Sequence, residues 1–256
     1  MTSICKHIRW SSLALGFALA GPTLAADSIA DFGQWLARYE AAQADDRPSL
    51  VAEGVRLAKR RQPAMRRLIA TQPHLALQRA VPRLAKLPEP VARHLEQHAE
   101  GLAEYTVTVA CGGPGHRSCK VERTLELNGQ RLTPRWQGRR AHLGSKSGLP
   151  VHGIVLDGQM AIADEPAREL AAAEKTALGL PAAQNVLSLA GARHAFDSPA
   201  AAAAWQQKLI AAEQALGPAM HLRPVAKQKP PVAWTTGKKR VLFIRVDFSD
   251  REGNPL

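Results

Sequence analysis

The apolar positions in the first part of the chain recur at helical spacing. One predicted face carries four large side chains of "DFGQWLARYEAAQ": Phe32, Trp35, Leu36 and Tyr39. Residues three and four apart are neighbours on a helix, so this stretch predicts an amphipathic helix. Pro48 after Asp46 is typical of a second helix start. Pro63 and the later prolines are expected to break the helical pattern, because proline removes a donor and clashes with the previous turn. Residues 27–101 are thus predicted to form an array of short helices.

The pattern changes to strict alternation at about Leu102. Apolar Tyr105 to Val109 alternate with threonines, which is the period of a half-buried strand. Asn128-Gly129 and Asp157-Gly158 each separate two alternating runs, and such pairs favour tight hairpin turns because both residues adopt positive φ. The region is therefore predicted to hold a small antiparallel sheet of about five strands. Leu125, Leu127, Leu132 and Trp136 should share one face.

The last part of the chain mixes both patterns. Two helices are predicted, "ARELAAAEKTALGL" and "SPAAAAAWQQKLIAAEQALGP", the second capped by Ser198 and stopped by Gly217, with the strand "NVLSLAG" between them. A proline-rich linker comes next, and "KKRVLFIRVDFSD" then predicts a strand that is apolar on both faces near its start. The fold class is α+β. The expected divisions are a leader (1–26), a helical region (27–101), an α+β region (102–223), a linker (224–239) and the start of a further domain (240–256).

The first 26 residues have the composition of a secretory signal peptide. Lys6 and Arg9 precede the apolar run "WSSLALGFALAG", and small residues then offer cleavage after Ala25 or Ala26. No later stretch reaches the roughly 18 apolar residues of a membrane span. We therefore expect a secreted protein, extracellular or periplasmic, without a stable membrane anchor.

Export changes the interpretation of the cysteines. Loss of Cys5 with the leader leaves Cys111 and Cys119, which in an oxidising compartment are expected to form a disulfide. Between them "GGPGHRS" has turn composition, so the bond would close a hairpin tip. A metal site would need more soft ligands than His116 supplies.

The chain is strongly basic, with a formal net charge of +12, of which Lys6 and Arg9 account for two. A basic chain can bind nucleic acid. Here the positive residues are spread over the predicted helices and loops, and aromatic residues make up only 5%. Single strands are bound on stacked aromatics, so we do not expect a nucleic-acid partner.

The residues themselves suggest no catalytic constellation. His94 and His98 have the i, i+4 spacing of zinc peptidases, but glutamate stands in the third position of "HLEQH" and would point off the histidine face. We interpret both as solvated residues of a short helix, and His152 as a satisfied core histidine. Asp247 and Asp250 could bind a cation such as calcium, although a strand cap is the commoner role.

Two stretches carry a resemblance to a known family. "GLPVHGIVLDGQMAIADEP" and "WTTGKKRVLFIRVDFSDREGNP" resemble the precursors of secreted bacterial zinc metalloproteases of the immune inhibitor A type, and the helical region is loosely similar. The resemblance implies a signal and pro-region followed by the first strand of a peptidase domain. Zinc is then expected in a downstream domain through H-E-x-x-H, and residues 1–256 bind none. The implied partners are the chain's own protease domain and the protein substrates of the full-length enzyme.

Two other interpretations stay open. The chain could be an exported binding module without catalysis, which presents a surface to a partner. Alternatively, the chain could be an enzyme complete within these residues, which would require zinc at His94 and His98.

Overall fold

The computed structural model of the chain describes residues 23–111 and 119–215, with side chains from Ser28 onward except that of Cys111. The predicted α+β class is confirmed. The helices, in chain order, are α1 Thr23–Ala41, α2 Arg47–Thr71, α3 Pro73–Gln78, α4 Glu89–Ala92, α5 Ala172–Ala177 and α6 Pro199–Ala215. The strands are β1 Gln97–Cys111, β2 Cys119–Leu127, β3 Gln130–Arg135, β4 Lys146–Leu156, β5 Gln159–Ile162, β6 Arg168–Glu169, β7 Asn185–Leu189 and β8 Ala192–Phe196.

The first helix buries the predicted apolar face. All four of its large side chains are buried, and they pack on residues of α2 such as Leu57 and Ala58. Gly54 makes this close packing feasible, because a Cβ there would lie only 2.2 Å from the Trp35 ring. The Trp35 indole donates a hydrogen bond to the carbonyl of Leu50 at 3.0 Å. Trp35 thereby fixes α1 against α2.

The expected break at Pro63 is wrong. Helix α2 continues through Pro63 for 25 residues in all. Its buried face runs on both sides of the proline, from Leu57 to Ile69, and this burial offsets the missing backbone hydrogen bond. The start at Asp46–Pro48 is confirmed, although the Asp46 side chain makes no capping hydrogen bond.

Both predicted hairpins are confirmed, but the sheet they form is a closed barrel of order β1-β2-β3-β5-β4. The turns have positive φ at Asn128, Gly129, Asp157 and Gly158. Closure depends on a parallel pairing of β3 with β5, so the expectation of a purely antiparallel sheet is wrong. Hairpin signals are local, and they do not show how two hairpins pair with each other.

The interior of the barrel is filled by the inward residues of its strands. Leu125, Leu127 and Leu132 lie there as predicted, with Trp136 packed against them. Outside the barrel, Met65, Ile69 and Ala76 of the helices α2 and α3 cover β4 and β5. Helices and barrel thus share a second cluster of buried residues outside the barrel, separate from its interior.

A second, three-stranded sheet of order β6-β7-β8 follows the barrel. The strand β7 and the helix α6 are confirmed, and the Ser198 hydroxyl accepts a hydrogen bond from the N–H of Ala201 at 3.1 Å. The helix predicted from Ala167 is wrong at its start, where Arg168–Glu169 form β6, and α5 covers only six residues. The pairing of β6 with β7 outweighs local helix propensity.

Several expectations lie outside the described residues. They concern the leader before Thr23, the stop at Gly217, the linker 224–239 and the strand in 240–256. The backbone of α1 begins at Thr23, so the predicted cleavage sites Ala25 and Ala26 fall in its first turns, and cleavage stays a prediction. Among the helices that the structure describes, none combines the length and apolarity of a membrane span.

Candidate functional site

The two histidines with zinc-peptidase spacing do not share a helix. The helix α4 ends at Ala92, so His94 lies in the following turn and His98 in β1. The predicted short helix under them is therefore wrong, and its i, i+4 geometry is absent. His98 Nε2 is 2.7 Å from the carbonyl oxygen of Val81. Burial, with Lys59 and Arg93 nearby, lowers the pKa of His94.

His152 is a hydrogen-bonded residue of the barrel wall, as expected. Its Nε2 lies 2.9 Å from the carbonyl oxygen of Glu165, which stands shortly before the second sheet. Burial lowers the pKa of His152 to about 4. The imidazole is therefore neutral at physiological pH. His194, in β8, packs its ring on Trp205 with a centroid distance of 4.8 Å.

Within residues 23–111 and 119–215, no group of three or more histidine, cysteine, aspartate or glutamate side chains could hold a metal ion. Asp247 and Asp250 lie outside these residues, so the calcium expectation stays a prediction. The zinc expectation concerns a downstream domain and also stays a prediction.

The register of β1 and β2 bears on the cysteine pair. Cys111 stands directly opposite Cys119 in the antiparallel ladder. Cα atoms that face each other in such a ladder are about 4.5 to 5.5 Å apart, which suits a disulfide. The bond between them remains a prediction, supported by this register.

A buried ion pair attaches the helix α6 to the barrel. Arg140 donates to the Glu213 carboxylate at 2.9 Å, and their side chains are 1% and 6% exposed. Arg140 also donates to the carbonyls of Ala163 and Pro150. Burial raises the pKa of Glu213, and the Arg140 charge opposes that rise. Because an unpaired buried charge is costly, this pair fixes the position of α6 near its end.

A cluster of four charged side chains attaches the second sheet to the rest of the structure. Arg168 of β6 bridges Glu100 of β1 at 3.2 Å and Glu174 of α5 at 2.6 Å, while Arg83 is 3.1 Å from Glu100. Ser188 of β7 also donates to Glu100. Burial alone would raise the pKa of Glu100, but Ser188 and the two guanidinium groups outweigh it, so its pKa is lowered. Glu100 is thus held ionised.

A concave groove of about 650 Å³ lies between β2 and β3. The two strands pair only from Leu125–Leu132 to the turn. The next residue of β3 that would donate toward β2 is Pro134, which has no N–H, and the ladder stops there. Beyond this point β3 pairs with β5 and diverges from β2. We call the space between them the β2–β3 groove.

The β2–β3 groove is lined by cationic and donor side chains. Its walls are residues 121–124 of β2, residues 133–137, residues 70–74 at the α2–α3 junction, and residues 141–142. Their titratable side chains are Arg123, Arg135, His74, His142 and one carboxylate, Glu122. Lys120 lies 3.9 Å from that carboxylate and offsets its charge.

Buried polar side chains lie at the inner wall of the β2–β3 groove. Arg123 Nε, Trp136 Nε1 and the Tyr105 hydroxyl behind them have no well-aligned hydrogen-bond partner, but the Arg123 and Trp136 side chains lie close enough to the hydroxyl to interact with it. Burial raises the pKa of Tyr105, while the Arg123 guanidinium opposes the rise. The Tyr105 and Trp136 rings pack edge to face at a centroid distance of 4.8 Å. Buried donors of this kind are suited to an oxygen-bearing ligand or water.

The hydrophobic pattern alone does not reveal the β2–β3 groove. It arises where two strands diverge, which depends on the long-range pairing of β3 with β5. One signal in the sequence could have pointed to it: Pro134 follows the predicted hairpin and marks where the ladder must stop.

Comparisons with known proteins gave no relatives: no family model, no curated protein and no solved structure matches this chain.

Proposed function

We propose that this chain is the signal and pro-region of a secreted zinc metallopeptidase precursor. In this role it assists the folding of the peptidase or blocks its cleft until the two are separated by cleavage. The proposal starts from the resemblance of residues 149–166 and 234–255 to precursors of the immune inhibitor A type. It assigns the zinc chemistry to a downstream domain and none of it to residues 1–256.

The observation that carries the proposal is the way α6 is fixed to the barrel. The pair Arg140–Glu213 is buried almost completely and lies at the C-terminal end of the described residues. The pair thus holds α6, the last helix that the structure describes, against the rest of the described module. A module whose last described helix is held in place suits a pro-region that acts on a downstream domain as a folded unit.

The ion pairs formed by the described carboxylates also support a non-catalytic role. The two carboxylates with the most perturbed surroundings are engaged in ion pairs: Glu100 with Arg83 and Arg168, and Glu213 with Arg140. Neighbouring ion pairs of this kind hold elements together. Proteolytic processing would fall in residues 227–239, since basic, proline-rich connecting segments are accessible to proteases.

The test is inhibition of the mature peptidase by the separately purified chain. We expect hydrolysis of a peptide substrate to fall as the chain is added, with full inhibition near a one-to-one ratio. Glu213→Ala, which releases α6, should weaken inhibition. Glu169→Ala is the matched control, because that carboxylate is 72% exposed and lies 4.0 Å from Lys175. Hydrolysis that is unchanged at excess chain would contradict the blocking role.

A second candidate function is an exported binding module without catalysis. The β2–β3 groove favours it, because this groove combines an unpaired strand edge with buried polar side chains and arginines. Peptide binding by the chain alone, together with no effect on any peptidase, would favour this second function.

A further inference from the structure

We propose that the β2–β3 groove binds an extended peptide segment of another protein that carries carboxylate side chains. The segment would add as a strand to the open edge of β2, and its acidic side chains would contact Arg135 on the outer face of the barrel or Arg123 on the inner face. This site goes beyond the pro-region role, and it can be tested without any peptidase.

The main chain of β2 provides the open edge to which a peptide strand can pair. Leu127 and Gln130 flank a two-residue turn, so their N–H and C=O groups point at each other. Main-chain direction alternates along a strand, which makes Arg123 and Val121 point the same way as Leu127, away from β1. The opposite strand confirms this alternation, because Val107, which faces Arg123, donates from its N–H to Ser145 on the far side of β1.

The edge stays open for a specific reason. Pro134 occupies the position of β3 that would pair with Arg123, and it cannot donate. Among the described residues, β2 pairs with β3 only from Leu125 onward. An extended peptide can use the free groups of Val121 and Arg123 as strand-adding ligands do in other proteins.

The charges of the groove select the peptide. Neither Arg123 nor Arg135 has a carboxylate partner among the described residues, and Arg135 only donates to the Gln159 side chain at 3.2 Å. Hydrogen bonds from guanidinium to carboxylate are about twice as strong as neutral ones. A second copy of this chain is less suited as the occupant, since its β2 carries Lys120 and Arg123 beside Glu122 and Glu126 and so supplies no excess of carboxylates.

The test uses two fluorescein-labelled heptapeptides and the purified chain. One alternates valine with glutamate, and the other alternates valine with glutamine. We expect the glutamate peptide to bind about tenfold more tightly by fluorescence anisotropy, because charge-assisted contacts replace neutral ones. Its affinity should fall as salt is raised, since the groove is open to solvent.

Three variants separate the charge from the strand edge. Arg135→Gln should reduce the preference for glutamate several-fold, whereas Arg131→Gln, an exposed arginine of β3 outside the groove, should leave it unchanged. Val121→Pro removes an N–H that faces the groove and none that bonds to β1, so it should weaken both peptides equally. Circular dichroism and thermal melting show whether each variant is folded.

Four results would overturn the proposal: equal affinity for the two peptides, no binding of either peptide, wild-type binding by a folded Val121→Pro variant, or equal effects of Arg135→Gln and Arg131→Gln. Sedimentation that shows a dimer, lost in Val121→Pro, would also overturn it, because a second copy would then occupy the edge.

Discussion

The barrel and the three-stranded sheet are built by different physical means. The barrel closes on itself and encloses nine buried core residues, whereas the sheet β6-β7-β8 shares a cluster of three buried residues with α6. Charged contacts at Glu100 and Glu213 attach the sheet and α6 to the barrel. The barrel therefore depends mainly on apolar burial, and the sheet depends on ion pairs to stay in place.

The largest loss of stability is expected when the contact between the helices and the barrel is broken. Arg61 of α2 and Glu96, just before β1, form an ion pair whose side chains are 2% and 0% exposed. Glu96 also accepts from the N–H of Val81 at 2.8 Å. Glu96→Ala should lower the free energy of unfolding by about 3–5 kcal/mol, because it leaves a buried guanidinium unpaired. Chemical denaturation measures this change.

The double variant Arg61→Met/Glu96→Leu is the control for that experiment. It removes both charges and fills similar volume, so it should be clearly more stable than Glu96→Ala. If the double variant is as unstable as the single one, the cost does not come from an unpaired charge.

A matched pair of leucines compares the two cores directly. Leu125, 0% exposed, lies in the barrel, and Leu187, 8% exposed, lies in the sheet. Leu125→Ala should cost about 3–4 kcal/mol and Leu187→Ala about 2 kcal/mol, since a fuller surrounding leaves a larger cavity. If urea denaturation shows equal losses of stability for the two variants, the barrel core does not contribute more than the core of the sheet.

His152 lies at the joint between barrel and sheet, and it makes stability depend on pH. Its pKa is lowered to about 4, mainly by burial, so between pH 6.5 and 4 the unfolded state binds a proton that the folded state does not. Stability should fall by about 2 kcal/mol as pH drops through this window. His152→Gln should reduce this loss. Thermal melts at pH 7 and 5 test it, and an equal loss in both proteins would refute it.

The smallest loss of stability is expected when the charged cluster that attaches the sheet is weakened. Glu174→Gln should lower stability by about 1 kcal/mol, because it weakens the contact with Arg168 in a partly exposed site. The matched surface change Glu53→Gln, which removes the charge that Arg38 contacts, should cost less than about 0.5 kcal/mol. Raising the salt concentration should shrink both losses. A larger loss for Glu53→Gln would mean that the cluster does not hold the sheet.

The sequence predicts the local features of this fold well. Asn128-Gly129 and Asp157-Gly158 form the expected hairpins, and Trp35 lies on the expected buried face. Barrel closure is not predictable in this way, because it depends on the pairing of Thr133–Arg135 with β5, far from any turn signal. The prediction at Pro63 is wrong because tertiary burial of α2 outweighs the missing backbone bond. The β2–β3 groove escapes prediction for the same long-range reason as the closure.

The measurement that tests the proposed function most directly is the sequence of the gene beyond the Leu256 codon. The pro-region role predicts an open reading frame that encodes H-E-x-x-H, which would supply the two histidines and the general base of a zinc peptidase. An in-frame stop codon directly after Leu256 would contradict that role and leave an exported binding module as the function to pursue.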